Sequence, residues 1–165
     1  GKWDAVPAQV DGQVLAPGAG AWAAWYRARV DGALRILTAG RAEVVWLGMA
    51  PEGIAGSAPA TAALNDVLRA ATEAWPGATF VDTAPVLGGP DGSYVQSLPG
   101  PGRTITLRKP DGVHLCPDGV VRLAEATVAA VAAEPQLAAG AGWDAGAWRH
   151  DFRYYWAPGG GCPGS

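Results

Sequence analysis

The run EVVWLGM at 43–49 constrains this chain more than any other segment. It is short, nearly continuous in apolar residues and rich in β-branched and aromatic side chains, as expected of a strand buried on both faces, and parallel sheets bury their strands this way. Its surroundings extend the argument. After a loop containing Pro51, Gly53 and Gly56, residues 59–75 place Leu64, Val67, Leu68, Ala71 and Trp75 at helical core spacing, and ATFVDT at 78–83 reads as a second short strand. Upstream, a helix over 21–38 would carry an apolar stripe of Trp22, Tyr26, Val30, Ala33 and Leu37, flanked by Trp25 and Ile36, with Asp31 and Arg35 opposite. Arg29 and Gly32 fit that helix poorly, and Gly40 supplies its stop. Helix, strand, helix, strand in this rhythm predicts crossover units in an α/β domain.

The ends of the chain are different in character. The first twenty residues are turn-rich, with a hairpin signal at Asp11-Gly12 and a second breaker at Pro17-Gly18. Residues 88–109 hold two Gly/Pro clusters around β-like runs at 93–96 and 104–107, predicting a loop or irregular hairpin. A third helix is expected over 117–133. Pro117 suits its first turn, Asp118 suits the positive end of its dipole, and Val120, Leu123, Ala124, Thr127, Val128 and Val131 form its stripe. From Glu134 onward the pattern dissolves into Ala, Gly and Trp.

Composition removes several function classes. With 165 residues, of which 49% are hydrophobic, the chain is long enough for one domain with a sizeable core. A net charge of −3 with only 16% charged residues offers no basic stripe to neutralise phosphates, which argues against nucleic acid as a partner. Charges, Gly and Pro interrupt every apolar run, so no transmembrane segment is expected. The chain opens on Gly1-Lys2-Trp3, which predicts a processed product or a fragment. Its two cysteines, Cys116 and Cys162, permit a single intramolecular pairing that would pin the tail and imply an oxidising compartment; two unrelated thiols are the other reading. Nothing in their spacing suits zinc, and no metal is implied.

One loop carries the chemistry. In KPDGVHLCPDGV at 109–120, Asp111 stands three residues before His114, just ahead of the third helix. Two readings compete. Asp111 could simply form an Asx-turn with Gly112 allowing the bend, or it could orient an imidazole that takes a proton from a nucleophile. The position after a strand and before a helix is where open α/β sheets present functional groups. His150, between Arg149 and Asp151, reads as a solvated tail residue.

The block Asp-Gly-Val-His-Leu, then two residues, then Asp-Gly and an amphipathic helix resembles the last motif of the SGNH/GDSL hydrolases, a family of serine esterases and acyltransferases. AEVVWLGMAP, TAALNDVLRAA, ATFVDTAPVL and GPDGSYVQSL resemble the strand, helix and loop segments that precede that motif. The likeness is closest to the extracytoplasmic bacterial branch associated with cell-envelope polysaccharides, and the Trp-rich tail resembles those of actinobacterial members. By this resemblance the fold is a three-layer, flavodoxin-like α/β arrangement with its N-terminal strands missing from the chain, residues 1–133 forming the C-terminal portion of the domain and 134–165 a Trp/Gly-rich tail. His114 would be the general base and Asp111 would hold its tautomer and stabilise the imidazolium.

The family's nucleophile belongs to a Gly-Asp-Ser motif, which this sequence lacks: its serines are Ser57, Ser93, Ser97 and Ser165. Its only asparagine, Asn65, falls inside a predicted helix rather than on an oxyanion loop. The resemblance therefore implies that serine and oxyanion hole lie upstream in a missing N-terminal half, and that these residues alone are inactive. The implied activity is ester hydrolysis or O-acyl transfer on O-acetyl or O-acyl groups of cell-envelope glycans or small esters, outside the cytoplasm and without cofactor. A non-catalytic glycan-binding or assembly module on the same fold is the alternative. Trp143, Trp148, Tyr154, Tyr155 and Trp156 would then contact sugar, or else wrap the tail onto an apolar surface.

Overall fold

The structure, a computed structural model, describes residues 4–131, 140–155 and 160–162. The chain is α/β, with four α-helices, a parallel strand pair and two antiparallel hairpins among the described residues. Packing divides it into two compact units, Gly1–Ala50 with Ala55–Asp82, and Pro51–Ile54 with Thr83–Ser165.

The first unit opens with a hairpin of β1 (Ala8–Val10) and β2 (Gln13–Leu15). Asp11 and Gly12 turn it, both at positive φ (48° and 78°), as a two-residue turn matched to strand twist requires. Helix α1 (Gly20–Thr38) follows, then β3 (Val44–Leu47), α2 (Ala58–Glu73) and β4 (Ala78–Val81). β3 and β4 pair in parallel, Val44 opposite Ala78 through Leu47 opposite Val81. Parallel strands need a crossover, and α2 supplies it.

Leu64, Val67, Leu68 and Ala71 of α2 are buried with Trp22, Val30 and Leu34 of α1 in one core, while Trp75, just beyond α2, packs partly buried against it. The stripe expected on α1 is corrected at its end. Leu34 takes the last core position, whereas Ile36 and Leu37 are 76% and 51% exposed, so the final turn carries its apolar side chains outside that core.

β3 is also corrected. It is not buried on both faces: Val44 and Trp46 pack on the core, but Leu47 is 37% exposed. Side chains alternate along a strand, so Val44 and Trp46 share one face and Val45 and Leu47 take the other.

The second unit contains the short helix α3 (Ala84–Leu87), a hairpin of β5 (Ser97–Gly100) and β6 (Arg103–Thr106), and helix α4 (Pro117–Val131). The hairpin turns at Pro101-Gly102, so the β-like run expected at 93–96 does not form a strand. Asp91 accepts hydrogen bonds from the Ser93 backbone and hydroxyl (3.0 and 2.7 Å), a local turn that competes with extended pairing. Tyr94 makes a single bridge to Gly88, and the Gln96 carbonyl accepts the N–H groups of Leu107 and Arg108 (2.9 and 3.2 Å).

α4 ends at Val131, and the last two residues of the helix predicted over 117–133 lie outside the described residues. Its expected stripe is only half-buried; the residues it buries are Pro117 and Gly119, at its start. Beyond it come three 3-10 turns, Trp143–Ala145, Ala147–His150 and Phe152–Tyr154. Cys116 and Cys162 form a disulfide with Cα atoms 5.6 Å apart. No helix among the described residues is long and apolar enough to cross a membrane.

Candidate active site

The loop between β6 and α4 is built by its backbone before any side chain is placed. The Lys109 N–H donates to the His114 carbonyl at 2.8 Å, the Gly112 N–H donates back to Lys109 at 3.0 Å, and the Cys116 N–H closes the base on Leu107 at 2.9 Å. Gly112 is the bend. Its φ of 72° is open chiefly to glycine, and a Cβ there would lie 2.8 Å from the Cα of Gly53. The close approach is used: the Gly53 N–H donates to the Gly112 carbonyl at 3.0 Å.

Within this frame the two oxygens of Asp111 have different partners. Oδ1 accepts the backbone N–H groups of Val113 (2.9 Å) and His114 (3.1 Å), which makes the Asx-turn. Oδ2 lies 2.5 Å from Nδ1 of His114. With Nδ1 committed to the carboxylate, the neutral ring carries its proton there and leaves Nε2 as an acceptor, on a side chain that is half exposed. Partial burial pushes the Asp111 carboxyl up, but the hydrogen bond from His114 and those from the Val113 and His114 backbone outweigh it, leaving the pKa below the usual value.

Two basic residues, Arg108 and Lys109, hold the loop. Arg108 is 4% exposed and donates to the carbonyls of Val113 (3.1 Å) and Pro51 (3.0 Å), with its Nε buried and unpartnered. Burial depresses the pKa of this guanidinium, opposed by Tyr94, Glu52 and Asp111. Lys109, equally buried, donates to the Arg153 carbonyl at 2.7 Å. Their only sequence signal was adjacency to the Asp-x-x-His block, and burial of a cation is a tertiary outcome that adjacency does not reveal.

The structure also locates the remaining residues of interest. The Asn65 amide is occupied within the first unit: Oδ1 accepts the Met49 N–H at 2.7 Å and Nδ2 donates to the Met49 carbonyl at 2.8 Å, so it braces the segment that follows β3. Ser93 is engaged with Asp91. Trp143 and Trp148 stack with centroids 6.4 Å apart, and Tyr154 tilts against Trp148 at 6.2 Å, so these tail aromatics pack on one another. Trp156 lies outside the described residues, and no cluster of three metal-ligating side chains forms among those described.

One family profile, described as a protein of unknown function, DUF459, matches residues 1–130 of the 165. The chain belongs to the DUF459 family. Among curated proteins none matches the sequence. The part shared with DUF459 contains Asp111, His114, Arg108 and Cys116, whereas Arg149, His150 and Cys162 fall beyond it. The disulfide thus joins a DUF459 residue to the tail that follows.

Proposed function

We propose that this DUF459 chain supplies the Asp–His pair of a serine-dependent esterase or O-acyltransferase of the SGNH/GDSL type. The observation that carries the reading is the Asp111 Oδ2 to His114 Nδ1 contact of 2.5 Å on an exposed imidazole. That geometry serves general-base catalysis: the carboxylate fixes the tautomer and stabilises the imidazolium formed when Nε2 takes a proton from a hydroxyl. The alkoxide then attacks an ester carbonyl, and the imidazolium returns the proton to the leaving alcohol. In this reading the nucleophilic serine and oxyanion donors come from polypeptide outside these residues, and the parallel β3–β4 pair belongs to a larger three-layer, flavodoxin-like sheet. The resemblance of DGVHLCPDGV to the last SGNH/GDSL motif supports it and points to O-acyl groups of cell-envelope glycans as substrates. A disulfide is the chemistry of oxidising compartments, which supports an extracytoplasmic location.

The test is p-nitrophenyl acetate turnover by the full-length product, native against His114→Ala, both shown to be folded by circular dichroism. A loss of about a thousandfold or more is expected. Equal turnover would return the block to the status of a turn.

A further inference from the structure

A cavity of about 570 Å³ lies within the second unit, walled by the β5–β6 hairpin, the start of α4 and the C-terminal turns. Its size falls in the range of small-molecule sites, about 300–1,000 Å³. At its wall Arg103 clasps Asp118 with both terminal nitrogens, at 2.6 and 3.1 Å, and Arg149 reaches the same carboxylate at 2.5 Å. One carboxylate faces two guanidiniums, so the cluster keeps a net positive charge. Each guanidinium has five N–H donors, and the contacts to Asp118, with those of Arg149 to the Asp144 carbonyl (3.2 Å) and Arg103 to the Thr104 carbonyl (3.5 Å), use only some of them. Thr104, Thr106 and Tyr155 line the same space, and the Tyr155 hydroxyl donates to the Arg149 carbonyl at 3.2 Å.

We propose that this cavity binds a small hydroxylated molecule bearing an oxyanion, a carboxylate or a phosphate, through Arg103 and Arg149. Planar guanidiniums recognise both groups through paired hydrogen bonds. Asp118 has two consequences there: it aligns both arginines before the ligand arrives, and it competes with the ligand for them. The threonines accept from or donate to the carrier's hydroxyls, and the Tyr155 oxygen, its proton given to Arg149, accepts from them. The inference does not depend on the acyl-transfer reading, since it concerns binding.

Isothermal titration of the full chain with glucose 6-phosphate, glucuronate and glucose, at constant ionic strength, tests it. Saturable binding of at least one acid with none for glucose is expected, and the preferred acid distinguishes a phosphate from a carboxylate ligand. Arg103→Gln leaves the Arg149–Asp118 contact in place to hold the tail, and is expected to weaken binding tenfold or more. Asp118→Asn removes the competing charge while its amide oxygen still accepts a guanidinium N–H and keeps the alignment, and the disulfide still tethers the tail, so it is expected to tighten binding severalfold. Binding of glucose equal to that of the acids, or no binding of either acid, would overturn the proposal. So would an Arg103→Gln affinity equal to native, or an Asp118→Asn protein, folded by circular dichroism, that binds no more tightly than native.

Discussion

Asp111 holds His114 at two points, through Oδ2 to the imidazole Nδ1 at 2.5 Å and through Oδ1 to the backbone N–H at 3.1 Å. Ring and main chain are therefore oriented by one carboxylate. Asp111→Asn can keep its oxygen in the turn only by putting the amide NH2, a donor, against Nδ1, which then has to be the unprotonated nitrogen. In the full-length product this substitution is expected to lower kcat for p-nitrophenyl acetate about 10⁴-fold with little change in KM. Steady-state kinetics check it, and an unchanged kcat would remove Asp111 from the proposed role of orienting the base.

The crosslink between Cys116 and Cys162 spans a sequence separation of 46. Restricting the unfolded chain over a loop of that length is worth about 4 kcal/mol in the chain-entropy account, with about 2–4 kcal/mol typical of measured cases. Urea unfolding of Cys162→Ser against the oxidised native protein should show a loss in that range. No difference between the two would mean that the tail contributes nothing to the cooperative unit.

Leu34 and Leu37 of α1 are a matched pair for testing the register of the helix, one buried and the other half exposed. Leu34→Ala should cost about 2–5 kcal/mol through lost burial and a residual cavity, whereas Leu37→Ala should stay within about 0.5 kcal/mol, as for surface changes. Comparable losses at both sites would show that the last turn of α1 is packed in solution.

Asp118 is held below its usual pKa, first by the hydrogen bond from Arg103, against partial burial, and then by Arg149. A carboxyl whose folded pKa is depressed contributes stability that is complete above its unfolded value, near 3.8, and that fades as pH falls through the folded value. Asp111 and Asp151 are also held low, so the Asp118 share is read as a difference. Native and Asp118→Asn melting temperatures should differ most at neutral pH and converge as the medium is acidified below the ordinary carboxylate range. A constant difference down to the most acidic condition would separate Asp118 from the acid response.

The elements with a clean period were readable from residues alone. α2 buries Leu64, Val67, Leu68 and Ala71, because a complete turn-by-turn apolar stripe leaves one face to bury. α1 was readable as a helix but not at its end, where exposure depends on how far the packed partner extends, which no local pattern encodes. The hairpin was displaced by one short segment, since 93–96 has strand-forming residues but the Asp91–Ser93 turn takes the Ser93 N–H at its start. That Asp111 and His114 belong together was expected from the resemblance of the DGVHL block to the SGNH/GDSL motif, since the spacing alone suits a plain turn equally well. Arg108, Lys109 and the Gly53–Gly112 contact were not, because each depends on two stretches of chain meeting in space, up to 59 residues apart for Gly53 and Gly112.

An ion pair between a surface side chain and a loose end would form and break with little net preference, worth about 0–1 kcal/mol. The Cys116–Cys162 bond changes the reference for the Arg149–Asp118 contact, because Arg149 lies inside the ring that the bond closes. Meeting Asp118 becomes a choice among conformers of a ring, at an effective concentration in the millimolar range or above. Contacts too weak to recruit a free peptide are then enough to keep Arg149 and Tyr155 facing the hairpin.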